Sequence, residues 1–164
     1  MKNNLIELSI STRDGQFVAR YSENGLAELN FPNAKSCSRA AKQNGISVKI
    51  KNWHRLTETA LKKILAGKKS KLPPLDWNGA TDFQKSVWRQ MLKISPGKTK
   101  SYGEIASAIK NSKAVRAVGG ACGANPIPVL VPCHRVLAAN KKIGGFSGGL
   151  DWKRSLLKRE GICL

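Results

Sequence analysis

Cys133, His134 and Arg135 stand side by side in the last third of the 164-residue chain. Thiolate is the reactive form of cysteine, and a neighbouring base and cation are the conditions that lower the pKa of a thiol. The segment from Asn125 to Pro132 contains three prolines, which fix their own φ and favour extended backbone at the preceding residues. The pattern therefore predicts a nucleophilic cysteine on a stiff backbone, although most single cysteines are small buried hydrophobic residues.

A base for this thiol is expected to act through a bridging water molecule. In an extended chain, neighbouring side chains point to opposite sides, so His134 would take the proton of Cys133 through a bridging water. The other ring nitrogen would then need a carboxylate to fix the tautomer. Two of the four carboxylates in the second half of the chain are expected at helix starts, which leaves Asp151 and Glu160 as candidates.

The charge of the chain points to a polyanionic partner. Lys and Arg number 29 against 10 Asp and Glu, which gives a formal net charge of +19, and such an excess is the electrostatic footprint of nucleic-acid binding. A passive basic surface is the alternative interpretation. No apolar run approaches the roughly 20 residues of a membrane helix, and the N-terminus lacks the apolar core of a secretory signal. We therefore expect a cytoplasmic protein that has no contact with membranes.

The cysteine spacing indicates no metal site and no disulfide framework. Cys37, Cys122, Cys133 and Cys163 form no CxxC pair, and such pairs are typical of zinc ribbons. In the first half only Cys37 and His54 could bind a metal, too few for a tetrahedral site. We expect reduced thiols, no metal and no cofactor.

The first half of the chain reads as a sheet followed by helices. Apolar residues alternate with period two from Asn4 to Pro32, and turn sequences at Arg13-Asp14-Gly15 and Glu23-Asn24-Gly25 interrupt them. This pattern predicts a three-stranded antiparallel meander. It is followed by a predicted helix (36–44), a strand (46–50), a helix that Gly67 ends (53–66) and a charged loop (67–74). A domain boundary is expected near residue 78.

Helical spacing dominates the second half. Capping boxes begin at Thr81 and Ser101, each in front of a run with apolar residues on one helix face. Ser112 is expected to cap a third helix (113–121). The second and third of these helices match the outline of a helix-turn-helix, for which simple core packing is the alternative interpretation.

Taken together, these motifs resemble the methylated-DNA–protein-cysteine methyltransferases, the family of 6-O-alkylguanine-DNA alkyltransferases. The resemblance spans roughly residues 81–161 and rests on SYGEIA (101–106), NP (125–126), PCHRV (132–136), FSGG (146–149) and REG (159–161), all in family order. It implies an α/β (α+β) fold. Residues 1–77 would form an N-terminal ribonuclease-H-like domain with an antiparallel β-sheet and helices. Residues 78–164 would form a mainly helical, winged-helix-like domain with a helix-turn-helix.

The resemblance implies direct-reversal DNA repair by a single-turnover enzyme. Such an S-methyltransferase flips the damaged nucleotide and moves the alkyl group of 6-O-methylguanine, or of 4-O-methylthymine as a further candidate, irreversibly to Cys133. It would act as a monomer on double-stranded DNA containing alkylated guanine. One alternative is an alkyltransferase-like protein that recognises damage without transfer, but those relatives lack the acceptor cysteine. The other is a helix-turn-helix regulator, which leaves Cys133 and His134 unexplained.

The resemblance also assigns roles residue by residue. Cys133 would accept the alkyl group, His134 would be the water-mediated base, Glu160 its carboxylate and Asn125 a hinge. Arg116 would enter the base stack after the nucleotide flips, and the glycines of the same helix are consistent with close approach of the backbone to DNA. The other implied DNA contacts are Ser101, Tyr102, Ala117, Gly119 and Arg135, and the implied substrate pocket is lined by Tyr102, Val136, Phe146, Ser147 and Gly148.

Overall fold

The computed structural model describes residues 5–32 and 45–164. The predicted meander is confirmed as an antiparallel sheet of three strands, β1 (Ile6–Thr12), β2 (Gly15–Tyr21) and β3 (Leu26–Asn30), which lie in chain order. Alternate residues of a strand share one face of the sheet. Ile10, Phe17 and Leu29 are therefore buried together on the inner face.

Helix α1 (Val48–Leu65) begins earlier than the sequence suggested. The prediction of a strand over residues 46–50 is wrong, because Ser47 caps the helix by accepting a hydrogen bond from the backbone N–H of Ile50 at 3.3 Å. Ile50, Leu61 and Ile64 then face the core at helical spacing, which outweighs the short alternation of apolar residues. The helix predicted over residues 36–44 lies outside the described residues.

The charged segment after α1 is irregular, as predicted, and the chain then returns to the sheet. The backbone N–H of Leu26 donates to the carbonyl of Pro74, and that of Asp76 donates to Leu26, both at 2.8 Å. Buried residues of the sheet, of α1 and of the second half of the chain form one contiguous cluster. The division into residues 1–77 and 78–164 stays a prediction.

The second half consists of short helices and one small sheet, and the predicted mixed fold class is confirmed. Both predicted capping boxes are present, at Thr81 and Ser101. The predicted cap at Ser112 is wrong: Ala114 precedes the third helix without a side-chain hydrogen bond, since a turn closed by Ala114 and Asn111 delays the helix start. The elements are α2 (Asp82–Leu92), β4 (Lys100–Ser101), α3 (Tyr102–Ala108), α4 (Val115–Gly123), β5 (Val136–Leu137) and α5 (Leu150–Arg159).

These elements surround the segment that carries the cysteine. Strand β4 pairs in parallel with β5, so that Lys100 lies opposite Val136 just beyond Cys133. Helices α3 and α4 pack against each other and against α2, and the indole of Trp88 in α2 donates to the carbonyl of Ala121 at 2.8 Å. Across the two described stretches, no helix has the length and apolar character that crossing a membrane requires.

Candidate active site

Cys133 begins a single 3₁₀ turn, Cys133–Arg135, between the proline-rich segment and β5. Its backbone N–H donates to the carbonyl of Val131 at 2.8 Å across Pro132, whose φ of −81° and ψ of 66° are those of an inverse γ-turn. The extended backbone expected at Cys133 is therefore wrong, because the turn bends the chain at this residue. The thiol is buried, with 4% of the residue exposed.

Asn125 holds this turn from the end of α4. Its side-chain amide donates to the carbonyl of Val131 at 2.8 Å and to Sγ of Cys133 at 3.3 Å, while its oxygen accepts from the backbone N–H of Ile127 at 3.0 Å. Val129, in the same loop, has a φ of 72° although its side chain is β-branched. Such backbone strain costs on the order of 1–3 kcal/mol and clusters at functional sites. The loop before Cys133 is thus held in one shape.

The structure brings His134 and Glu160 together. Nε2 of His134 lies 3.0 Å from Oε1 of Glu160, and both side chains are buried. Burial opposes ionisation of Glu160, but hydrogen bonds from His134 and Arg135 outweigh it and lower the pKa of this carboxyl to about 2. An ionised carboxylate only accepts hydrogen bonds, so Nε2 carries the proton and Nδ1 keeps its lone pair. The other candidate, Asp151, is fully exposed.

His134 is therefore a neutral imidazole with one free nitrogen. Burial lowers the pKa of its ring below the usual value, although the hydrogen bond to Glu160 works in the other direction. Nδ1 is buried and has no hydrogen-bond partner among the described protein groups. A buried, unpaired lone pair is the feature that a general base requires.

Arg135 is part of the same buried network and does not face solvent. Its Nε and Nη2 donate to Glu160 at 2.8–3.1 Å, and its Nη1 donates to the carbonyl of Ile94 at 2.6 Å. The predicted DNA contact of Arg135 is thus replaced by an internal one, because all three guanidinium nitrogens are engaged and only 6% of the residue is exposed. The bidentate pair explains why Glu160 remains ionised in a buried position.

The end of α5 places Glu160 at this position. Glu160 follows the last helical residue, the backbone N–H of Gly161 bonds to Lys158, and that of Ile162 bonds to Leu157. Together these bonds form a Schellman motif, whose C′ residue adopts a left-handed conformation, and Gly161 has a φ of 81°. Gly161 of the REG motif is therefore required by the left-handed backbone at the end of α5.

Lys153 is a buried charged residue that the sequence reasoning missed. It is fully buried in α5, and its Nζ donates to the carbonyls of Val136 at 2.7 Å and Gly145 at 3.1 Å. Burial lowers the pKa of its ammonium group to about 8. The spacing of Lys153 to Leu156 and Leu157 puts it on the apolar face of α5, and that signal was available in the sequence.

The thiol of Cys133 is held in its protonated form in the resting protein. Burial raises the pKa of Cys133, while the Asn125 hydrogen bond and the charge of Lys153 act against this rise. The sequence suggested that His134 and Arg135 would lower this pKa. That expectation is wrong in the resting state, because the ring is neutral and Glu160 balances the guanidinium.

The predicted pocket residues lie in three places: at the start of α3, just after the 3₁₀ turn, and in the turn before α5. Tyr102 begins α3 and is half-buried, and burial, together with the nearby Cys122 and Cys133, raises its pKa. Val136 is fully buried and follows the 3₁₀ turn. The ring of Phe146 meets that of His134 edge-on, with centroids 6.4 Å apart. Ser147 is exposed and Gly148 half-buried, in the turn before α5.

The predicted DNA-contacting residues lie on α4 and at the start of α3. Arg116 and Ala117 are exposed in the first turn of α4, and a Cβ added at Gly119 would meet no atom of the described residues within 4 Å. Packing within the described protein therefore does not require glycine at this position. Ser101 caps α3 by accepting from the backbone N–H of Glu104 at 3.1 Å. In the part of the chain that the structure describes, no group of three or more side chains is arranged to bind a metal.

Comparisons with known proteins match the chain to one family. Residues 82–162 match the family model described as 6-O-methylguanine DNA methyltransferase, DNA binding domain. A methylated-DNA–protein-cysteine methyltransferase of Methanosarcina acetivorans is 40% identical over 149 residues, covering 91% of this chain and 94% of its own length. The corresponding protein of Methanosarcina mazei is 44% identical over 142 residues, covering 84% and 85%.

Solved structures are similar over almost the whole chain. The crystal structure of Mycobacterium tuberculosis OGT in complex with DNA has a TM-score of 0.72 and 35% identity, covering 93% of this chain and 90% of that one. An O6-methylguanine-DNA methyltransferase of Pyrococcus kodakaraensis has a TM-score of 0.64 and 26% identity, covering 96% and 99%. The similarity therefore includes both the three-stranded sheet and the helical half.

Proposed function

The chain belongs to the methylated-DNA–protein-cysteine methyltransferase family, and on this basis we propose that it repairs DNA by moving the alkyl group of 6-O-methylguanine to Cys133. The chain matches two relatives that are named as this enzyme over 94% and 85% of their own length. The activity class is therefore that of the family. The roles of the individual residues, the alkylated base and the monomeric, cytoplasmic state remain proposals.

One observation supports the proposed chemistry above the others. His134 directs its protonated nitrogen to Glu160 at 3.0 Å, and Nδ1 is left with a buried lone pair in the same turn as the buried thiol of Cys133. Arg135 binds the same carboxylate and keeps it ionised. This combination of nucleophile, base and orienting carboxylate is the arrangement used for activated cysteines.

In the proposed step, the proton of the Cys133 thiol passes to Nδ1 of His134, through a water as the resemblance implies. The thiolate attacks the alkyl carbon, an S–C bond forms, and the C–O bond breaks with its electron pair going to the guanine oxygen. The proton then passes from the imidazolium to the released guanine. Glu160 stabilises the transient imidazolium, because a buried positive ring needs a buried negative partner. The net products are a thioether and unmodified guanine.

The thioether makes the reaction stoichiometric, since such a bond does not hydrolyse. Asn125 holds Sγ at the end of the strained loop, so the nucleophile is positioned before the base arrives. The charge of Lys153 favours the thiolate over the thiol as the proton leaves. Each protein molecule would therefore repair one base.

Access to the oxygen of a stacked guanine requires that the nucleotide leave the duplex, at a cost of a few kcal/mol. The exposed side chain of Arg116 would fill the gap, since a planar guanidinium can stack on bases while it donates hydrogen bonds. Helix α4 would approach the DNA with its glycine face, together with Ala117, while Ser101 and Tyr102 contact the neighbouring backbone. The net charge of +19 favours binding to phosphates of any sequence.

Intact-protein mass spectrometry tests this proposal. After incubation with a duplex containing one 6-O-methylguanine, the protein is expected to gain the mass of one methyl group, located by peptide mapping on Cys133. Cys133→Ala should bind the same duplex and gain nothing. Cys163→Ala, which removes an exposed thiol, is the matched control and should gain one methyl. A protein that binds the lesion and never gains mass would instead be a damage-recognition protein without transfer activity.

A further inference from the structure

Four aromatic side chains connect the three-stranded sheet to the FSGG segment (146–149), called here the pocket loop because it is predicted to line the substrate pocket. Phe31 comes directly after β3, and its ring centroid lies 5.8 Å from that of Phe146 and 4.9 Å from that of Trp152. Phe17 in β2 packs on the other side, 5.6 Å from Phe31 and 5.8 Å from Trp152. Tilted and edge-on aromatic pairs at these distances contribute about 0.5–1.5 kcal/mol each beyond the burial of area.

Phe31 also packs against the backbone of Gly148. A Cβ added at Gly148 would lie 2.5 Å from Cε2 of Phe31 and 2.8 Å from Cζ. Real Cβ atoms do not come this close to a ring carbon, so the Phe31 ring occupies the space that a side chain at residue 148 would need. The absence of a side chain at Gly148 in the FSGG motif is therefore explained by Phe31, a residue from the other half of the chain.

A second contact ties the same strand to the loop that leads to Cys133. The backbone N–H of Leu29 in β3 donates to the carbonyl of Pro126 at 2.9 Å, and Pro126 is next to Asn125, which holds Sγ of Cys133. Strand β3 thus contacts the loop before Cys133 through Leu29, and the residue that follows the strand, Phe31, contacts the pocket loop.

The space between these two contacts is open. A groove of about 550 Å³ runs between the end of β3 and the pocket loop, and it is lined by Phe31 together with Pro126, Pro128, Ser147 and Gly148 among others. Ser147 and Gly148 therefore border open space on this side. Phe31 and Trp152 also line the groove, and the ring of Phe31 packs on that of Phe146.

We propose that Phe31 is a positioning residue for alkyl transfer: by packing on Phe146 and Gly148 it holds the wall of the substrate pocket in place. This inference rests on the proposed function, and it gives the N-terminal sheet a part in the reaction besides folding. The contact extends to the base, because Phe146 in turn meets the ring of His134. Phe31 acts only through these residues and does not touch the reacting atoms.

A comparison of Phe31→Leu with Phe17→Leu tests the proposal. Both variants make the same change in the same aromatic cluster, but of these two rings it is that of Phe31 that pairs with Phe146 and lies against Gly148. The assay is single-turnover methyl transfer from a methylated duplex at increasing protein concentration. It separates the plateau rate constant from the half-saturating concentration. Melting curves identify a temperature at which the wild-type protein and both variants are folded.

We expect Phe31→Leu to lower the plateau rate constant by about tenfold, because displacements near 1 Å at a reacting centre cost up to about 100-fold. The half-saturating concentration should stay within about twofold, since α4 and not Phe31 carries DNA binding. Phe17→Leu should leave both quantities near the wild-type values. Phe31→Tyr, which keeps the ring, should restore most of the rate.

Two results would overturn the inference: equal plateau rate constants in Phe31→Leu and Phe17→Leu, or a loss in Phe31→Leu that the tyrosine variant does not recover. Failure of the proposed function would look different. In that case the wild-type protein itself would gain no methyl group, and there would be no plateau to compare.

Discussion

Lys153 places a buried positive charge near two buried thiols. Cys133 and Cys122 are both close enough to influence its titration, and burial raises the pKa of Cys122 to about 12. The ammonium group has two carbonyl partners, and neither is charged. The formation of a thiolate at Cys133 would supply the missing negative charge, so under the proposed mechanism the lysine would favour the reacting state of the site over its resting state.

Lys153→Met should slow transfer and change its pH dependence. Burial raises the pKa of the Cys133 thiol, and without the ammonium one of the effects that lower this pKa is lost. Each unit of increase in the thiol pKa lowers the rate at pH 7 about tenfold. Because the pKa of Lys153 is about 8, its charge is present below that pH and lost above it. The rate ratio of wild type to variant should therefore be largest below pH 8 and shrink as the pH rises.

The measurement is the plateau rate constant for transfer from a methylated duplex between pH 6 and 9.5. Lys158→Met, at an exposed position of the same helix, is the control and should follow the wild-type profile. A ratio that does not change with pH would assign Lys153 a purely structural role.

At the scale of residues, the sequence named Cys133 and His134 as candidates because their types and adjacency carry a chemical signal, and their roles stay predictions. It did not predict the surroundings of their neighbour. The burial of Arg135 was not identifiable, because its partner Glu160 lies 25 residues away and only the fold brings the two together. Arginine after a cysteine suggests DNA as readily as it suggests an internal ion pair, and burial alone decides between them.

The end of α5 is the element on which the orientation of the base depends. Glu160 is the C-cap residue of α5, and the Schellman motif that ends the helix turns the chain at Gly161, which has a left-handed backbone. A non-glycine residue in that conformation costs about 1–2 kcal/mol. A change in this turn would therefore act on the carboxylate without touching it.

Gly161→Ala should lower both stability and transfer rate. We expect a loss of about 1–2 kcal/mol in the free energy of unfolding, measured with urea. We also expect a reduced plateau rate constant, because relief of the strain moves Glu160 away from His134. Thr81→Ala removes the cap of α2 at a similar cost of about 1 kcal/mol. It should leave the plateau unchanged, and matching transfer rates in the two variants would contradict the role given to this turn.

Elements were predictable where local signals and tertiary packing agree. The meander and the two capping boxes follow from alternation and from Ser or Thr placed three residues before Glu or Gln, and the structure contains all of them. The strand predicted over 46–50 failed because five residues are too few to distinguish a strand from the first turn of a capped helix. The 3₁₀ turn at Cys133 could not be predicted, since a proline restricts the residue before it and Cys133 follows Pro132.

The molecule as a whole must combine extraction of a base with transfer of its alkyl group. Under the proposed function, α3 and α4 would carry extraction, and the loops between α4 and α5 would carry transfer. Because Arg116 on α4 is exposed and Cys133 is buried, the two tasks would fall on different groups. Their contributions should therefore be separable by substrate.

Arg116→Ala should weaken repair of a methylated duplex by about tenfold or more and leave the slow reaction with free 6-O-methylguanine base unchanged. The reason is that a free base needs no extraction, whereas an unfilled gap leaves the unstacking cost of a few kcal/mol uncompensated. Lys113→Ala removes an exposed positive charge just before the same helix. It should only weaken duplex binding modestly and make that binding less sensitive to salt. Equal losses of Arg116→Ala on both substrates would exclude the proposed gap-filling role.

The deep position of Cys133 has a further consequence for a protein that can react only once. Of the three cysteines in the described residues, Cys163 is the one exposed to a small electrophile or oxidant in solution, whereas the proposed acceptor is both enclosed and uncharged until its proton is removed. Thiols in that state are poor targets for the reagents that damage DNA. The same burial that makes the sulfur slow to ionise therefore keeps it intact until a damaged base is delivered to it.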